Sequence, residues 1–204
     1  MSLRVTFLGT SGAVPTTQRA PSAIMVNREG DRLLFDCGEG TQRQMMRHGT
    51  GFRVSDIFVT HLHGDHVLGI PGLVQSWDFN DRTDPLTIHC PRGTYSDIDD
   101  LLGVCGHSPS FRIDIDEVAA GDIAHETDEY VVGDRRPGRR VVYTGDTRPT
   151  AAVESIAAGA DLLIHDATFA DDHAARARET KHATGREAGE LAAAAGAKRL
   201  ALTH

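Results

Sequence analysis

Lysine is nearly missing from this chain: of 21 basic residues among 204, only Lys181 and Lys198 are lysine, and the rest are arginine. Aromatic residues make up only 5% of the sequence, and no apolar run approaches the roughly 18 residues that a membrane span needs. Cysteine is scarce as well. Cys37, Cys90 and Cys105 are widely spaced and form no Cys-x-x-Cys pair, which speaks against a disulfide framework or a zinc-finger cage and for buried free thiols. No cationic leader precedes the first apolar segment, so the chain is expected to be soluble and cytoplasmic, with no membrane partner.

Acid is in excess. The net charge is −8, and Asp outnumbers Glu by 20 to 9. A surface this rich in aspartate and poor in lysine is expected to suit high salt. Negative charge opposes extended contact with a polyanion, but screening at high ionic strength shrinks that penalty, so the sign alone does not exclude RNA. A hydrophobic content of 40% is enough for one buried core at this length, and a single globular unit over 1–204 is expected.

Local patterns suggest the order of elements. Leu3 to Leu8 alternates like a strand and breaks at Gly9-Thr10-Ser11-Gly12; Ser22 to Val26 and Arg32 to Phe35 follow as a strand pair around a turn. Helix is expected over Thr41 to His48, in the second half of Val67 to Asp78, over Ala151 to Ala157, and over Thr184 to Ala195. Further strands are expected at Ile57 to Thr60, Leu86 to Cys90, Arg140 to Tyr143, Leu162 to His165 and Arg199 to Thr203. A meander followed by alternating strands and helices argues for a layered α/β domain. Asp114 to Gly138, acidic and then rich in Arg, Pro and Gly, reads as a loose region.

The chemistry concentrates after the strand ending at Thr60. His61-Leu62-His63-Gly64-Asp65-His66 places four potential metal ligands within six residues, with Gly64 allowing a tight turn. A single histidine there is more often a hydrogen-bonded surface or core residue. Four such groups together after a strand favour a divalent metal site, with imidazoles at i and i+2 on one ion and the later Asp and His within reach of a second. Asp146 and His204 also end strands, and could supply the oxygen and nitrogen ligands of a paired site; alone, each would mean little. Asp36 is expected to orient a metal-bound histidine rather than to bind metal.

These motifs, with Phe7-Leu8-Gly9-Thr10-Ser11-Gly12-Ala13-Val14-Pro15-Thr16 and Phe35-Asp36-Cys37-Gly38-Glu39-Gly40-Thr41-Gln42, resemble those of tRNase Z, a family of the metallo-β-lactamase superfamily. Pro91-Arg92-Gly93-Thr94, Gly145-Asp146-Thr147-Arg148-Pro149, His165-Asp166-Ala167-Thr168-Phe169 and Lys181-His182-Ala183-Thr184 extend the resemblance along the chain, with Asp166 where the family has glutamate. The resemblance implies a metallo-β-lactamase fold, a four-layer αββα sandwich, and an endonuclease that removes the 3′ trailer from precursor tRNA, working as a homodimer. It implies two Zn2+ ions per subunit, or Mn2+ in their place. His61 and His63 would hold one ion; Asp65, His66 and His204 would hold the other; and Asp146 would bridge them. Asp65 would also serve as general base, and His182, assisted by Asp166, as proton donor. Ser11, Arg19 and Thr41 are candidates for substrate contact, although a plain glycine turn explains the first loop nearly as well.

Two departures stand out. The family's further metal-binding histidine and its tRNA-gripping arm, expected between Pro91-Arg92-Gly93-Thr94 and the Gly-Asp-Thr motif, are not recognisable; His125 lies in the interval without the family context, and further residues of a longer protein between Tyr130 and Val131 and after His204 are the favoured explanation. Other hydrolases on this scaffold, acting on thioesters, cyclic nucleotides or small phosphodiesters, remain alternatives, as does an inactive metal-binding or tRNA-binding protein.

Overall fold

The computed structural model describes residues 3–104, 106, 108–119 and 138–204, so Cys105, His125 and the Tyr130/Val131 link lie outside the described residues. The chain divides into two compact units, 1–125 and 126–204.

The first unit is built on a six-stranded sheet: β1 (Leu3–Gly9), β2 (Ala23–Arg28), β3 (Asp31–Phe35), β4 (Asp56–Phe58), β5 (Leu86–Pro91) and β6 (Ile113–Val118), side by side in that order. The first three strands form an antiparallel meander, and β3 through β6 run parallel. Parallel neighbours need crossover connections, here carrying α1 (Thr41–His48), the short α2 (Gly64–Val67), α3 (Ile70–Phe79) and α4 (Tyr95–Gly103). Ile57, Leu86, Ile88, Ile70, Leu73 and Ile98 are fully buried in its core, each contributing about 1.5–3 kcal/mol by leaving water. Helix α1 stops where Gly49 turns left-handed at φ 58°, a conformation that costs glycine little.

β6 corrects the expectation of a loose region from Asp114. Asp114, Asp116 and Glu117 are interspersed with Ile113, Ile115 and Val118, and the strand pairs with β5 from Leu86↔Ile113 to Pro91↔Val118 as the edge strand among the described residues. An edge strand tolerates a charged face, which also discourages pairing with other chains.

A row of paired residues crosses this sheet: Phe35, Phe58, His89 and Asp116. Phe58 stacks on Phe35 at 4.8 Å and on His89 at 4.5 Å between ring centroids. The buried His89 imidazole bonds Asp56 at 2.9 Å through Nε2 and Asp116 at 3.2 Å through Nδ1. Burial pulls its pKa down, but the hydrogen bonds and charges of Asp56 and Asp116 outweigh that and raise it above 6.5. Protonated His89 therefore contributes stability that is fully present below the unfolded value of 6.5 and is lost as pH rises through the higher folded value. His89→Gln is expected to lower the melting temperature at pH 5.5 by roughly 2–4 °C, the effect of about 1 kcal/mol in a chain of this size, and by less at pH 9. Equal losses at both pH values in thermal melts would count against a charged clamp.

The second unit holds a parallel sheet of β7 (Val141–Tyr143), β8 (Leu162–Asp166) and β9 (Leu200–Thr203), with α5 (Ala151–Ala157), α6 (Ala174–Glu179) and α7 (Gly185–Ala194). Ala157, Leu163, Leu191, Ala192 and Ala195 form its core. Helix α7 opens with a reciprocal cap, Thr184 accepting from Glu187 N while the Glu187 side chain accepts from Thr184 N. No helix among the described residues is long and apolar enough to cross a membrane.

Candidate metal centre

Apart from His182, which lies between α6 and α7, the candidate ligands and orienting carboxylates sit at or beyond the carboxyl ends of parallel strands, where open α/β sheets habitually place their ligands. In the first unit Asp36 follows β3, and Thr60 through His66 follow β4. In the second, Asp146 follows β7, Asp166 ends β8 and His204 follows β9.

In the first unit the His61 and His63 rings meet, with Nε2 of one 3.0 Å from Nδ1 of the other. Two nitrogens bound to one tetrahedral zinc would stand about 3.3 Å apart, so the pair fits a shared cation. His66 is fully buried; its Nδ1 lies 2.8 Å from Asp36 Oδ2, and its Nε2 lies 3.5 Å from Asp65 Oδ2. A carboxylate accepting from Nδ1–H leaves the lone pair of a neutral ring on Nε2, the side that faces Asp65. Asp36 holds a left-handed backbone, φ 57°, and its buried carboxylate also accepts from Thr60 N at 2.8 Å. Such strain in a non-glycine residue is typical of sites where side-chain placement matters more than local backbone energy.

Close approach explains two glycines. A Cβ on Gly38 would fall 2.3 Å from the Asp65 carbonyl oxygen, and one on Gly69 would fall 2.1 Å from the Gly38 carbonyl oxygen. Cys37 N donates to His66 O and Gly69 N to Cys37 O, so the loop after β3 and the ligand turn are laced together through backbone. Cys37 itself is inert packing: burial pushes its thiol up to about 12. Cys90 is a buried free thiol as well.

In the second unit, Asp146, His182 and His204 offer ligand atoms within 4.8 Å of one another, with His204 Nε2 3.2 Å from Asp146 Oδ2. The hub is Asp166, fully buried. Its Oδ1 accepts from Thr168 N at 2.8 Å and Thr168 Oγ1 at 2.5 Å; its Oδ2 accepts from Thr147 N at 3.1 Å and pairs with His182 Nδ1 at 2.8 Å. One carboxylate thus ties down the loop that carries Asp146 and the ring of His182. The His182 backbone N–H donates to Ala177 O at 2.8 Å, and its ring stacks on His204 at 5.0 Å. Pairs of imidazoles with converging nitrogens beside carboxylates are the donor set that borderline divalent cations favour, so the residues present fit metal.

The three substrate candidates are placed differently from one another. Arg19 is exposed on the loop after β1. Ser11 is buried, its hydroxyl 3.4 Å from Arg19 O. Thr41 is also buried and donates to Gly38 O at 2.7 Å. Sequence reasoning assigned no task to Thr60 or Thr168, although both hydroxyls touch a carboxylate and a histidine. Their adjacency to the histidine and aspartate motifs was the available signal.

Comparison with known proteins agrees with this architecture. The model of a β-lactamase superfamily domain matches residues 31–204. Ribonuclease Z of Halorubrum lacusprofundi is 52% identical, covering 100% of this chain and 86% of the relative; that of Haloferax volcanii is 47% identical, covering 100% and 84%. Both comparisons run over 268 aligned positions, more than the 204 residues of this chain, so the relatives carry stretches that it does not. The crystal structure of human tRNase Z, short form, superposes with a TM-score of 0.85 at 32% identity, covering 98% of this chain and 91% of that one. With a metallo-β-lactamase fold and identities of this order along its whole length, the chain belongs to the ribonuclease Z family.

Proposed function

We propose that the protein removes the 3′ trailer from precursor tRNA, using two zinc ions, with manganese as a possible substitute. Family membership makes it an endoribonuclease, a phosphodiester hydrolase. The observation that carries the reading is the matched pair of carboxylate-anchored histidine clusters at the carboxyl ends of parallel strands, described above for each unit.

The ligand assignment follows the resemblance: His61 and His63 on one ion, Asp65, His66 and His204 on the other, and Asp146 shared. When bound, such cations acidify a water molecule and offset charge on the phosphate. With the cations in place, Asp65 would be the residue to take a proton from the attacking water, and His182 the one to deliver a proton to the 3′-oxygen released by the cut. Asp166 keeps the His182 ring in place by its 2.8 Å bond to Nδ1, so that the opposite nitrogen is the one available to the leaving group. Arg19 is the exposed cation suited to the phosphate backbone, while Ser11 and Thr41 act on RNA through the loops they pin. We further read the working form as a cytoplasmic homodimer, since the family lets one subunit grip the RNA that the other cuts.

The test is incubation of the zinc-loaded protein with a 3′-extended precursor tRNA in molar salt, with the cut mapped on a sequencing gel. A single cut after the discriminator nucleotide is expected. Hydrolysis of small phosphodiesters without cleavage of the precursor would replace this reading with that of a different hydrolase on the same scaffold.

A further inference from the structure

In each unit a threonine hydroxyl stands between a buried carboxylate and an imidazole. Thr60, two residues beyond β4, has Oγ1 3.0 Å from both carboxylate oxygens of Asp36 and 3.1 Å from His61 Nδ1. Thr168, two residues beyond β8, has Oγ1 2.5 Å from Asp166 Oδ1 and 2.8 Å from His204 Nδ1. The same carboxylates reach a second histidine directly, Asp36 on His66 and Asp166 on His182, each at 2.8 Å. Each unit therefore repeats one device, a carboxylate that holds one ring itself and another through a threonine, with the Thr168 hydroxyl also lying 3.0 Å from Nδ1 of His182.

The protons can be assigned by elimination. A hydroxyl has one hydrogen, and a carboxylate accepts but does not donate, so the threonine hydrogen points at Asp36 or Asp166. The lone pairs of Oγ1 then face Nδ1, which must carry the proton in that contact. The remaining lone pair of the neutral ring is left on Nε2. Nε2 is also the nitrogen that approaches other ligands: 3.0 Å from His63 Nδ1 for His61, and 3.2 Å from Asp146 Oδ2 for His204.

We infer that Thr60 and Thr168 are paired positioning residues, which fix the tautomer and ring angle of His61 and His204 so that both present Nε2 to metal. The inference rests on the metal reading above. Valine has nearly the shape of threonine but offers Nδ1–H a methyl group in place of the accepting hydroxyl, so that this contact no longer disfavours the opposite tautomer. Serine keeps the hydroxyl and loses only the methyl.

The experiment is a zinc competition titration with a chromophoric chelator, on the whole protein and on T60V, T168V, T60S and T168S, with kcat and KM measured alongside. Each valine variant is expected to bind zinc about 10–100-fold more weakly and to lose kcat with KM little changed, and each serine variant to stay within about threefold of the parent, the range seen when partners of metal-bound histidines are removed or kept. Valine variants with parental zinc affinity would overturn the inference, as would serine variants as weak as the valine ones. Melting curves in the apo form report folding; should a valine variant not fold, alanine at that position removes the hydroxyl without adding a buried methyl and is read by the same criteria. A parent protein that binds no zinc would instead defeat the metal reading itself.

Discussion

Asp65→Ala is expected to lower the rate of precursor cleavage by about 10^3-fold or more while leaving RNA affinity close to that of the parent, because in the proposed mechanism Asp65 is both the general base and a metal ligand. Asp65 sits in the first turn of α2, 3.5 Å from the Nε2 of a histidine whose other nitrogen is committed to Asp36. Asp65 is not part of the apolar core, although Val67 of the same short helix is, so truncation of its side chain is expected to leave that core intact. Single-turnover cleavage and a filter-binding titration measure the two quantities separately. Unchanged cleavage would remove Asp65 from the reaction, and a parent protein that binds the precursor without cleaving it would favour a protein that holds tRNA without cutting it.

His182→Ala is the second large effect: a loss of about 10^2- to 10^4-fold in kcat, the usual contribution of a positioned proton donor, with zinc content unchanged. Zinc content matters here because His182 shares a 4.8 Å neighbourhood of ligand atoms with Asp146 and His204. A ligand role would make the substitution release metal. A donor role leaves the metal in place and removes the step at the leaving oxygen. Elemental analysis of the purified variant separates the two, and a fall in zinc parallel to the fall in rate would reassign His182 to the ligand set. The 2.8 Å bond from His182 to the buried Asp166 suits either role; the exchange of Glu for Asp relative to the family motif shortens the carboxylate arm without breaking this contact.

Local signals were enough for the parts of the fold that are local. Thr41 to His48 and Ala151 to Ala157 lie between readable stops, Gly49 for one and the capping Thr150 for the other, and both helices form over those residues. Strands β8 and β9 were legible as apolar runs, each a few residues after a glycine, Gly159 and Gly196. β6 was not, because alternating Asp114 and Asp116 look like solvent-facing loop until β5 supplies a partner about 27 residues away in sequence. α4 escaped for a similar reason: of its nine residues only Ile98 is fully buried, and its aspartates hide the stripe.

The same division holds at the site. His61 to His66 announces itself because its ligands are contiguous. The bond from Asp36 to His66 spans 30 residues, yet the rule that metal-bound histidines lean on carboxylates anticipates it. Adjacency to the histidine and aspartate motifs is the one local hint at Thr60 and Thr168, and a weak one, since a threonine at a strand end is common and the relay exists only once neighbouring strands bring the carboxylate and the ring to the same hydroxyl.

Metal-dependent cleavage of precursor tRNA is the property on which the other expectations for the site depend. Its most direct test is to strip the protein with a chelator, add zinc back in steps, and follow single-turnover cleavage of a 3′-extended precursor. Activity absent at the start, returning with zinc and saturating at two equivalents per chain is the predicted result; full cleavage by the stripped protein, or zinc uptake without any cleavage, would contradict it.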